Sequence, residues 1–200
     1  MRFSTTLALT CIALSLFASP ASNGAEAAKK NATPADAIAA AEQAFDRNDK
    51  AAQVDCLSPA GQTALSEMLV MVAGMAAADP GAKEMQRQID ELFARHGVTD
   101  RKAKEGEDPQ AHAKRIASQI KDKRPFLVDA LKLNLADEPA GTKCVKGELK
   151  DVKITGDTAT GTYAVKTDDS STMSQEMKFS RSNGSWLIDS LIGLVPARQK

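Results

Sequence analysis

Histidine, tryptophan and tyrosine are almost missing from this chain, with two, one and one residues in 200. His96 and His112 stand apart, separated by a charged stretch, and neither belongs to a Cys-x-x-Cys or His-Glu-x-x-His pattern, so the sequence offers no zinc site and calls for no cofactor. Net charge is absent as well: 26 basic residues balance 26 acidic ones, and no basic run tracks a phosphate backbone, which excludes nucleic acid as the expected partner. A glycine-rich phosphate loop and a Gly-x-Ser-x-Gly nucleophile turn are both lacking. Long apolar runs are lacking too. Leu65–Ala78 is apolar, yet it carries Glu67 and stops at Asp79-Pro80, so no membrane span is expected after the N-terminal segment.

That N-terminal segment sets the expected compartment. Met1-Arg2 is a short basic start, Leu7–Phe17 is an apolar core shorter than a span, and small residues follow. Residues 1–25 read as a signal peptide, cleaved after Ala21 or Ala25, and 26–33 as a flexible leader. The mature protein is then exported, periplasmic or extracellular. Its length suits one domain over 34–195, followed by a loose tail at 196–200. Of three cysteines, Cys11 leaves with the signal; Cys56 and Cys144 remain, and a pair in an exported chain predicts one disulfide bond.

What the chain does have is helical periodicity followed by alternation. Thr33-Pro34 with Asp36, Ser58-Pro59, Asp79-Pro80 and Asp108-Pro109 each place a capping side chain before a proline suited to the first helical turn. Ile38, Ala41 and Phe45 give the first helix an apolar stripe; Leu65, Met68, Leu69, Val72 and Met75 make the second long helix the most apolar and predict it as the most deeply buried. The methionines there are core filler, not a copper site, because no clustered His or Cys accompanies them. Met85, Ile89, Leu92 and Phe93 form a third stripe ending at His96-Gly97, with His96 placed to answer carbonyls of the last turn. Thr99–Asp108 reads as an exposed charged loop. Ile116 and Ile120 turn inward on the next helix with Lys114, Arg115 and Lys121 outward, and Phe126, Leu127, Ala130 and Leu131 carry the last helical face after an interruption at Arg124-Pro125.

From Lys143 to Leu191 the period changes to two. Val145, Gly147 and Leu149 share one parity and Val152 and Ile154 the other, a one-residue shift that predicts a β-bulge. Ala159, Gly161, Tyr163 and Val165 alternate with threonines; Met173, Gln175, Met177 and Phe179 alternate with Ser174, Glu176, Lys178 and Ser180. Gly156-Asp157, Asp168-Asp169-Ser170-Ser171 and Asn183-Gly184 punctuate the runs, and Asn-Gly is the strongest hairpin signal of the three. The fold class is therefore α+β: N-terminal helices packed against a curved, C-terminal, antiparallel four-stranded meander.

Helices first, then "DVKITGDTATGTYAV" as a hairpin and "MKFSRSNGSWLIDSL" as a strand passing through Asn-Gly to tryptophan, resembles the nuclear transport factor 2-like, or cystatin-like, α+β superfamily. Within it the chain is similar to small exported bacterial proteins of unknown function. The resemblance implies a cone whose hollow takes a small apolar molecule, with Tyr163, Met177, Phe179, Trp186 and Ile188 as pocket candidates. Two readings follow. In the first, the protein is a non-enzymatic exported domain binding a small apolar ligand or a protein partner through its curved sheet. In the second, it is an isomerase or dehydratase with Tyr163 and Asp189 as its acid-base pair. Pairing through the exposed face of the sheet would make a homodimer.

Overall fold

The computed structural model describes residues 31–77, 83–133, 146–166 and 172–190, excepting the side chains of 75–77. The signal segment, most of the leader, Asp79-Pro80, Cys144, Val145, the Asp168–Ser171 turn and the tail lie outside the described residues. Six helices precede four strands: α1 (Pro34–Asp46), α2 (Lys50–Asp55), α3 (Pro59–Ala77), α4 (Lys83–Arg95), α5 (Pro109–Gln119), α6 (Lys123–Lys132), then β1 (Gly147–Thr155), β2 (Thr158–Lys166), β3 (Thr172–Ser182) and β4 (Ser185–Ile188). Among the described residues no helix is long and apolar enough to cross a membrane.

Helix starts follow local chemistry. Thr33 Oγ1 accepts from Asp36 N and Asp36 returns a bond to Thr33 N, a complete capping box. Asn48 takes a left-handed φ of 55°, which ends α1, and Asp49 then caps α2 through Ala52 N. Ser58 Oγ accepts from Gly61 N at the start of α3, and Asp108 accepts from Gln110 N and Ala111 N at the start of α5. Pro125 does not break a helix as expected; it sits in the first turn of α6, where a missing N–H costs nothing, and the chain bends at Ile120 and Asp122 instead.

The sheet is a meander in the order β1-β2-β3-β4, antiparallel throughout. Its bulge is where the parity shift put it: pairing skips between Lys150↔Thr162 and Lys153↔Thr160, and Asp151 has φ 52°. Asn183 and Gly184 both have positive φ, as a type I′ turn demands. Helix α1 lies across the sheet, touching β4 and β1. One cluster of buried side chains runs from Ala37, Val54, Met177, Phe179 and Ile188 between sheet and helices to Ile89, Phe93, Ile116, Phe126 and Leu127 within the helical layer.

The outer edge of β4 is covered. Ile188 N donates to Cys56 O at 2.9 Å, Ser58 N to Ile188 O at 3.0 Å, and Trp186 N to Asn31 O at 2.9 Å, so the α2–α3 junction forms a short parallel bridge with the last strand. Strand edges left unpaired invite association. Edge strand β1 is blunted differently, by the bulge and by Glu148, Lys150, Asp151 and Lys153.

One expectation fails here. Among the described residues no disulfide forms: Cys56 is a free, buried thiol at the C-cap of α2, enclosed beneath the β4 edge that its own carbonyl helps to pair. Burial and the neighbouring Asp55 push it up to about 11, so it behaves as a small apolar side chain. Helix α3, expected to be the most deeply buried, gives the core Leu65, Ser66, Leu69, Val70 and Ala73. It packs against α4, α5 and α6, with Met68 and Val72 half-buried and Met71 43% exposed.

Candidate functional site

The sequence-nominated pocket residues Tyr163, Met177, Phe179, Trp186 and Ile188 share one face of the sheet, and each is at most 5% exposed. They lie within the core cluster, packed with residues of α1 and α2. Tyr163 is tied down: its hydroxyl donates to Glu42 Oε1 at 2.7 Å and accepts from Gly147 N at 2.8 Å, while Gly147 presses against the ring so closely that no side chain would fit there. Asp189 stands on the other face, where it accepts from Ser180 Oγ at 2.7 Å. The sheet separates the two, and the carboxylate that meets the phenol is Glu42, which nothing in its sequence position singled out.

Three apolar side chains of the sheet remain open, Val152 at 40% and Ile154 at 58% on β1 and Met173 at 63% on β3. They do not make one patch. Ile154 pairs with Ala159 at one end of β2, whereas Met173 pairs with Val165 at the other.

A concavity lies instead in the helical layer, among α3, α4, α5 and the loop 96–108, with a volume of about 390 Å³. Small-molecule sites commonly fall at this size. Its floor is apolar: Val70, Ala73 and Gly74 from α3, Ile89 and Phe93 from α4, and Ile116 from α5. Its polar lining is Gln86, Thr99, Arg101, Lys102 and His112. A Cβ built on Gly74 meets nothing within 4 Å, so the floor is open above that residue.

The polar side is built by two carboxylates standing behind it. Asp90 accepts from Gln86 Nε2 and from Arg101 Nη2, each at 2.6 Å, and the Arg101 guanidinium lies over the Phe93 ring, 5.1 Å from its centroid. Because only the amide nitrogen of Gln86 donates, its orientation is fixed; its Oε1 is buried and has no hydrogen-bond partner among the described residues. Glu107 takes bonds from Arg115 Nε at 2.8 Å and Nη2 at 3.0 Å, and Arg115 holds its carboxyl well below the usual carboxylate range. His112 Nδ1 lies 3.1 Å from Glu107 Oε2 and 3.2 Å from Arg115 Nη2, and its Nε2 has no partner among the described residues.

Arg115 also fastens the loop. Its Nη2 donates to Lys102 O at 2.7 Å, and Gln119 Nε2 donates to Asp100 O at 3.0 Å. The charged loop is largely exposed, as expected, yet it is held against α5, with Val98 buried beneath it. His96 answers no carbonyl of its own helix; it bonds Asp129 Oδ2 on α6 at 3.1 Å and meets Phe126 edge-on at 5.5 Å.

Sequence reasoning treated Arg115 as an outward charge and placed His112 in no site. The available signal was Glu107, two residues before the proline of α5 and eight before Arg115, a separation that only the folded loop closes. No family model matches this chain, and no curated protein or solved structure matches it.

Proposed function

We propose that this protein is an exported, non-enzymatic binding module of the nuclear transport factor 2-like kind, and that it takes a small, largely apolar ligand in the cleft among α3, α4 and α5. The meander order, the bulged first strand and the helix laid across the sheet support the superfamily reading; the Leu7–Phe17 apolar run supports export. The observation that carries the binding reading is the cleft itself, an apolar floor with a few converging polar groups.

Chemical-shift mapping with a library of small apolar compounds tests the reading. Shifts gathered on Val70, Ile89, Phe93 and Ile116 support it; shifts gathered on Tyr163, Met177 and Trp186 move the site to the sheet and overturn it. A second reading has its own observation: a carboxylate-oriented imidazole, Glu107–His112, borders the cleft, an arrangement suited to a general base. It predicts turnover of a bound carbonyl compound that is lost in His112→Gln while binding persists.

A further inference from the structure

We propose that the ligand of the cleft is a small monocarboxylate, with its apolar body on Ile89, Phe93 and Ile116 and its carboxylate at the rim beside Lys102 and His112; this rests on the reading of the cleft as a ligand site. The sign of charge is the first argument. Arg101 and Lys102 line the cleft and, among the described residues, no aspartate or glutamate does. The two acids behind the lining are already engaged, Asp90 by Gln86 and Arg101, Glu107 by Arg115 and His112.

The cations divide the work between them. Arg101 is spent on Asp90 and on the Phe93 face, so it roofs the apolar floor and does not supply the free charge. Lys102, the next residue, has no ion pair among the described residues, and the bond from Arg115 to its carbonyl fixes where its stem begins. One uncompensated ammonium matches one carboxylate. A dianion would need a second free cation, an inorganic anion would leave the apolar floor uncovered, and an alkylamine would bring like charges together.

Calorimetric titration of the full chain with octanoate, octan-1-ol and octylamine tests this. Octanoate should bind about ten-fold more tightly than octan-1-ol, and octylamine more weakly than either. Lys102→Ala should weaken octanoate about five-fold and leave octan-1-ol unchanged, since Lys102 is exposed and its pairing energy is modest. Gly74→Leu, which sends a side chain into open space over the floor, should weaken both. Equal binding of octanoate and octan-1-ol, or an unaffected Lys102→Ala, overturns the monocarboxylate while the cleft stands, provided Gly74→Leu still blocks. Probes that bind Gly74→Leu as well as the parent chain, or no binding by any probe, overturn the cleft as well.

Discussion

The hydroxyl of Tyr163 on β2 donates to Glu42 Oε1 on α1 at 2.7 Å and accepts from Gly147 N at 2.8 Å, so one phenol joins the first helix to two strands. Removing it leaves Glu42 Oε1 and Gly147 N with only their mutual 3.5 Å contact in a half-buried place, a long bond where there were two short ones. Tyr163→Phe should therefore cost about 1–2 kcal/mol, seen as a lower urea midpoint with an unchanged slope. A hydroxyl that merely reached solvent would give no measurable loss.

Gly61 on α3 faces Ile188 of β4 at a distance that excludes any side chain: a Cβ there would overlap the Ile188 carbonyl oxygen, which is already accepting from Ser58 N. Gly61→Ala must push the last strand off the α2–α3 junction or bend the start of α3. The expected loss is about 1–3 kcal/mol. Gly74→Ala on the same helix is the control, with open space at its Cβ, and should stabilise by about 0.5–1 kcal/mol through helix propensity alone.

These contrasts show which levels of the structure were legible in the sequence. Periodicity and caps are local, so Thr33, Ser58 and Asp108 began their helices, Asn183-Gly184 closed its hairpin and the parity shift at Val152 became the bulge. Pairings set by the tertiary fold were not legible. Glu42 meets Tyr163 across 121 residues, and the sheet face that resembled a cone's hollow is filled by α1 and its neighbours. The cleft formed elsewhere because Arg115 folds the charged loop back over α3 and α4, and composition alone marks such a loop as solvated. Cysteine count likewise suggested a bond where burial has made Cys56 an ordinary core residue.

Burial, reinforced by Asp55, lifts the Cys56 thiol from 9.0 to about 11, so the folded chain keeps a proton that the unfolded chain gives up. Its contribution to stability is complete below pH 9.0 and is lost as pH rises toward about 11, at no more than about 1.4 kcal/mol per pH unit. Denaturation midpoints measured across that window should fall, and Cys56→Ala should flatten the decline. Iodoacetamide should leave Cys56 unmodified in the native protein at neutral pH and label it only on unfolding.

Arg115 joins Glu107 to the carbonyl of Lys102, and its fork-shaped guanidinium makes both sets of bonds at once. Lysine has one nitrogen and lacks that reach, so Arg115→Lys should behave much like Arg115→Ala: amide hydrogen exchange across residues 100–107 accelerates while the core helices stay protected. Acid should produce the same loosening in the parent chain. Glu107 is held well below its ordinary 4.5, which means its pairing stabilises the fold fully above that pH and loses hold as pH falls through the depressed value. Exchange in the loop should therefore stay slow at pH 4.5 in the parent and already be fast there in Arg115→Ala. Equal protection in the two proteins would mean that Val98, Gln119 and the Arg101–Asp90 pair hold the loop, and that the rim of the cleft owes nothing to Arg115.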